Sequence, residues 1–163
     1  MRLATAKQFV LEYGVVEIGQ LLTNKGIIDG SVIDDDRTSY ISDMFVDDNT
    51  SNDLESDIET ELNRYIDRAQ ADVEPHLKRF YKWPLQSDGF DILQSDVPGL
   101  IVDIIQEITR YYLDDENTRH VEDVSTIYHR YKKALMKARF IGDGEYRLDL
   151  DEKYDDTKIP YVI

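Results

Sequence analysis

The chain has no cysteine, only three histidines, four prolines and one tryptophan, and no long apolar run in its 163 residues. Without cysteine there are no disulfides, thiolate metal sites or cysteine nucleophiles, as expected of a protein made in a reducing compartment. No stretch approaches the roughly 20 apolar residues needed to span a bilayer. The start, MRLATAKQFVLEYG, lacks the apolar centre of a secretory signal. The chain therefore reads as soluble, with no membrane partner. His76, His120 and His129 are far apart, and there is no His-Glu-x-x-His, Gly-x-Ser-x-Gly or Ser-x-x-Lys motif. Gly26 and Gly30 lack the Gly-Lys-Ser/Thr that completes a phosphate-cradling loop. These gaps give the expectation of a non-enzyme with no cofactor. Basic charge is also scarce: 19 Lys and Arg against 34 Asp and Glu leave a formal charge of -15. Duplex affinity comes largely from cations displacing counterions, so independent DNA binding is disfavoured. Acidic excess suits solubility or a basic partner.

What is present is mostly helical periodicity. At this size one domain is expected, hiding roughly 70% of the extended chain's surface. Thr5 can cap a helix from Ala6 that carries Phe9, Val10 and Tyr13 on one face, and Gly14 ends or bends it. A second short helix follows over Val15 to Leu22. From Lys25 to Asn52 the pattern fails, and Asp, Gly, Ser, Thr and Asn predominate. The expectation there is a long acidic loop, which at such length is functional or ordered by something else. Leu54, Ile58, Leu62, Tyr65, Ile66, Ala69, Val73, Leu77 and Phe80 then recur at steps of three and four, the mark of a long amphipathic helix. Pro75 inside that pattern predicts a kink near Asp72 to Glu74.

After Trp83 and Pro84, the residues Gln86 to Ser95 read as a polar loop. Pro98 suits the first turn of a central apolar helix running from Leu100 to Tyr112, and Asp114 to Asn117 read as a turn. A fourth helix is expected from about His120 to Phe140, with Val124, Ile127, Tyr128, Tyr131, Leu135 and Ala138 inward and Gly142 and Gly144 as terminators. Glu145 to Leu150 alternates at period two, like a short strand. The predicted fold is mainly α: a small bundle with a long kinked helix, a central apolar helix, a long acidic loop and an extended C-terminal tail. Residues 1–144 form the helical domain, with the acidic insertion at about 25–52, and 145–163 form the arm.

Several clusters invite functional readings. Asp34, Asp35, Asp36, Asp43, Asp47 and Asp48 suggest hard cations. A calcium loop begun at Asp48 would nevertheless put Asp53 where glycine is needed. A two-metal nuclease would need its carboxylates on rigid elements. A solvated acidic loop is the simpler expectation. Arg130, Lys133 and Lys137 share one face of the fourth helix, either completing its dipole and keeping it wet or meeting an acidic face of another copy. Trp83 either seals the core or anchors an interface. The same choice faces Tyr146, Leu148, Leu150, Tyr154, Ile159, Tyr161, Val162 and Ile163, whose alternating and terminal apolar side chains could dock as an extended strand on a partner.

Two segments carry a resemblance. They are ADVEPHLKRFYKWPL over Ala71 to Leu85, with Phe80, Tyr81, Pro84 and Leu85, and RYKKAL over Arg130 to Leu135. Between them lie the helix opening at Val97 and Pro98 and the aromatic end at Tyr111 and Tyr112. In this order and spacing the chain, from Thr5 to about Leu150, resembles the Mu-type phage head-tail joining proteins, the neck adaptors and head-completion connectors. The resemblance implies a structural subunit at the head-tail junction of the virion, assembled in the host cytoplasm. It would bind the portal protein and the next neck or tail-completion protein. It also implies a ring of about twelve copies that extends the DNA channel. DNA would then be only passing contents, with Asp34, Asp35, Asp36, Asp47 and Asp48 as candidate acidic lumen residues. Two other readings stay open: a stand-alone acidic binding protein such as a DNA mimic, and a metal-dependent phosphodiesterase.

Overall fold

The computed structural model describes residues 1–32, 34–45, 53–118 and 126–153. Its spine is α4 (Asp53–Phe80), where Ile58, Leu62, Ile66, Ala69, Val73 and Leu77 are buried at the predicted three- and four-residue steps. The helix runs through Pro75 as one element. Pro75 and Ala71 are both exposed. The Ala71 carbonyl, which loses its helical donor to the proline, can therefore turn to water.

Two further helices complete the bundle, and α4, α5 (Gly99–Thr118) and α6 (Thr126–Gly142) each pack on the other two. Helix α5 buries Ile101, Val102, Ile104, Ile105, Ile108 and Leu113. It also buries Thr109, whose hydroxyl donates to the Ile105 carbonyl at 2.8 Å, so the polar group is satisfied within its own helix. Asp114 to Asn117, expected as a turn, belong to this helix, because Leu113 and Asp114 extend the inward face set by Thr109. On α6 the buried positions are Ala134, Ala138 and Ile141, while Ile127, Tyr128, Tyr131 and Leu135 are half-buried. The expected start at His120, and Val124 with it, lie outside the described residues.

Three shorter helices pack across one side. In α1 (Ala6–Tyr13) a capping box forms: the Gln8 N–H donates to the Thr5 hydroxyl and the Thr5 N–H donates to the Gln8 side chain. Ahead of it, Arg2 grips Asp67 with two bonds of 2.7 and 2.8 Å, and the Leu3 N–H donates to Gln70 at 2.7 Å. Together these fix the first residues to the middle of α4. Helix α2 (Val15–Asn24) meets α3 (Asp34–Phe45), which corrects the expectation of a loop throughout 25–52. Ile41, Met44 and Phe45 are buried at i, i+3 and i+4. The close approach relies on Gly19 of α2: a Cβ there would lie 3.0 Å from Arg37 and 3.3 Å from Ile41.

The stretch from Gln86 also departs from a plain loop. It forms an antiparallel hairpin, β1 (Gln86–Ser87) with β2 (Phe90–Asp91), in the register Gln86 to Asp91 and Ser87 to Phe90. Asp88 and Gly89 make the turn with φ of 54° and 83°, the positive values that a two-residue primed turn requires. A 3-10 turn, Gln94–Asp96, leads on to α5.

Glu145 to Leu150 is not a strand. After Gly144 the chain folds back irregularly along the end of α4, with a single bridge between Tyr81 and Glu152. Of the three apolar positions in that alternation, Leu148 and Leu150 turn toward the core, while Tyr146 stays 43% exposed.

Candidate functional site

The bundle brings charged residues from three helices to one groove of about 280 Å³. One wall is α6, where Arg130, Lys133 and Lys137 recur at helical spacing. The opposite wall is acidic, with Glu12 at the end of α1 and Asp103 and Glu107 on α5. Buried Ile104 and Ala134 contribute apolar lining. Arg130 reaches Glu107 at 3.2 Å, whereas Lys133 and Lys137 have no ion-pair partner among the described residues. The other Glu107 oxygen, Oε2, is buried and accepts no hydrogen bond. Beside it, burial first and then the Glu107 charge push the Tyr13 hydroxyl far above its ordinary pKa, with Arg110 opposing. Tyr13 therefore remains a neutral phenol at any physiological pH.

Tyr13 and Arg110 lead into a second, more open hollow of about 490 Å³ that also involves Val16, Glu17, Leu21 and Ile127. Arg110 pairs with Glu17 at 2.5 Å and stacks over the Tyr13 ring at 4.7 Å. Further along α5 and α6, Tyr111 stacks on Tyr131 at 3.9 Å, and Arg68 lies 4.2 Å over Tyr112, which hydrogen-bonds Asp72.

The second notable surface is the hairpin. Phe90 is 78% exposed and Leu93 69%, with exposed Asp88, Asp91 and Asp96 around them. The hairpin is held from below by the segment after Gly144. The Asp151 N–H donates to the Gln86 carbonyl at 2.7 Å, and the Asp151 carboxylate accepts from the Gly89 N–H at 2.8 Å. Lys82 adds a 3.3 Å ion pair to the same carboxylate. The Gly89 N–H foremost, and Lys82 with it, hold Asp151 below the usual carboxylate range. The same segment binds elsewhere too: the Leu148 N–H donates to the buried Tyr81 hydroxyl at 2.7 Å, and the Lys153 N–H to the Phe80 carbonyl at 2.8 Å.

The residues singled out from the sequence are scattered relative to these two surfaces. Arg130, Lys133 and Lys137 do come together, in the groove. Trp83 is half-buried against the core with Lys78 4.8 Å over its ring. Tyr146 packs edge-on to Phe140 at 5.6 Å, and Leu148 and Leu150 are covered by the chain itself. Tyr154, Ile159, Tyr161, Val162 and Ile163 lie outside the described residues, as do Asp47 and Asp48. Asp34 opens α3, and Asp35 and Asp36 are exposed on it. Among the described residues no group of His, Asp and Glu converges as a metal site, and no helix is long and apolar enough to cross a membrane. Sequence reading missed the acidic wall at Glu12, Asp103 and Glu107, whose spacing in sequence gives no warning of their meeting. It also missed Phe90, although Asp88-Gly89 between short flanks is a hairpin signature.

Neither the curated proteins nor the solved structures hold a match to this chain. A family model does match, that of Gp36 of bacteriophage Mu, and it does so over residues 4–160. That span takes in the N-terminal helices, the bundle, the hairpin and the segment that pins it. With the match running through every element of the fold, the chain belongs to the bacteriophage Mu Gp36 family, a family of phage proteins.

Proposed function

We propose that this protein is a structural subunit of the phage neck. It acts as a head-tail connector of the adaptor or head-completion kind, repeating as a ring under the portal protein and extending the DNA channel. The observation that carries the reading is the family match from residue 4 to residue 160, which supports a phage structural or morphogenesis role for the whole chain. The character of the surface agrees with it. The chemistry on display is interfacial, with Lys133 and Lys137 on α6 lacking an ion-pair partner among the described residues and exposed Phe90 on a stiff hairpin, and both suit protein contacts. A net charge of -15 fits a lumen through which DNA slides without sticking, and Asp35 and Asp36 on α3 are its described candidates.

The full chain, mixed with its portal protein, should co-sediment as a ring visible by electron microscopy. A chain that stays monomeric and leaves the portal bare in sedimentation velocity would refute the reading. Replacing Asp35 and Asp36 with Lys should hinder DNA passage during packaging or ejection. Unchanged passage would reduce these acids to solvating groups. The apolar end needs a cut after Lys153, since a cut after Gly144 would also remove the contacts to Tyr81, Gln86 and Gly89. Loss of head-tail joining in the shorter chain is the expected result.

A further inference from the structure

We propose that the hairpin of one copy seats Phe90 in the Arg130, Lys133 and Lys137 groove of a second copy. The inference rests on the ring reading above and names the contact that would build the ring. Three features of the molecule point to it.

The first is preorganisation. Phe90 is 78% exposed, yet the strand that carries it is not loose. Its turn is fixed by the Gly89 N–H bond to Asp151, and its base by the Asp151 N–H bond to the Gln86 carbonyl. A large apolar side chain held out on a stiff support loses little freedom when it docks, which is what an interface anchor requires.

The second is fit. The groove offers about 280 Å³ lined in part by Ile104 and Ala134, and the aliphatic stems of Lys133 and Lys137 widen the apolar surface. A cavity of about 150 Å³ is enough to take benzene, so one phenyl ring has room.

The third is charge. Phe90 is followed directly by Asp91 and lies two residues after Asp88, while Lys133 and Lys137 across the groove have no ion-pair partner among the described residues. Glu12 and Asp103 stand on the other wall and would repel the same acids. The hairpin therefore enters in one orientation, with its carboxylates toward α6.

Hairpin and groove are different surfaces, so the contact is head-to-tail. Repeated, it closes a ring when the rotation per copy permits.

The test uses the full chain in sedimentation velocity and native mass spectrometry, with and without portal protein. Phe90→Ala should weaken association by at least about 30-fold, the scale of a central aromatic anchor. Its thermal melting should stay unchanged, because the residue is exposed in the single copy. Lys133→Glu and Asp91→Lys should each weaken assembly about tenfold or more, and the two together in one chain should restore it. If the wild-type protein forms rings and Phe90→Ala forms them equally well, the hairpin contact is wrong and the ring reading survives. If charge reversal shows no rescue while wild-type rings persist, the groove is not the acceptor. A wild-type chain that never associates, alone or on the portal, removes both.

Discussion

Gly144 is where a single methyl group should do the most damage. It follows α6 with φ of 75° and sends the chain back over α4: its N–H donates to the Ile141 carbonyl and the next N–H to that of Phe140. Alanine there would meet two penalties. The left-handed backbone costs a non-glycine residue about 1–2 kcal/mol. The added Cβ would also lie 2.4 Å from Phe80 Cε2, well inside contact distance. The Phe80 ring is hemmed in, packing edge-on to buried Tyr81 at 5.1 Å with Arg147 5.9 Å over its face. Relieving such a clash typically costs about 1–3 kcal/mol. Gly144→Ala should therefore destabilise the fold by roughly 2–5 kcal/mol, and each kcal/mol lowers Tm by about 2–4 °C at this size. Gly26 supplies the control. Its φ is 72°, and no heavy atom lies within 4 Å of its ideal Cβ, so Gly26→Ala carries the backbone penalty alone. Urea unfolding of the two variants should separate them by more than about 1 kcal/mol. Equal losses would show that the Phe80 ring does not constrain the turn.

Other expectations follow from the same geometry. Asp151 is held below the usual carboxylate range chiefly by the Gly89 N–H, so its hold on the hairpin is full above the unfolded pKa of about 3.9. It should fade as pH falls through the lower native value, read as lost exchange protection of the Gly89 amide. Asp151→Asn should flatten that profile. In the core, Ile105→Ala removes a fully buried side chain from α5 and should cost about 2–5 kcal/mol in urea unfolding, with the spread set by how far α4 and α6 close in. Tyr81→Phe leaves the Leu148 N–H without its acceptor and should cost about 1–3 kcal/mol. A neutral result by calorimetry would mean water replaces the hydroxyl.

The helices that form the bundle were legible because each buries a stripe along its own length. Leu62, Ile66, Ala69, Val73 and Leu77 announce α4 without knowledge of any neighbour. Helix α3 was not legible. Its Asp-Asp-Asp-Arg-Thr-Ser opening reads as loop, and its buried Ile41, Met44 and Phe45 gain their meaning only from α1, α2 and α4 around them, with Gly19 letting α2 come close to Ile41. Alternation in Tyr146, Leu148 and Leu150 reported the inward side for the two leucines but not for exposed Tyr146, and it did not report the hydrogen bonding, which goes to Tyr81 and Gln86 rather than to a ladder. The groove shows both cases at once. Its basic wall lies on one helix and was visible as a face, while its acidic wall is assembled from α1 and α5 and exists only in three dimensions.

The lone tryptophan gives this protein a built-in optical probe of one corner. Trp83 sits between Lys82, which bonds the Asp151 backbone, and Leu85, whose carbonyl accepts the Ile92 N–H, while Lys78 rests over its indole. Its emission therefore responds to release of the hairpin and of the segment beneath it. The bundle of α4, α5 and α6 reports separately through far-ultraviolet helical dichroism, to which the short hairpin and the irregular segment beneath it contribute little. Two signals in one cuvette can thus tell a loosened corner from a melted bundle.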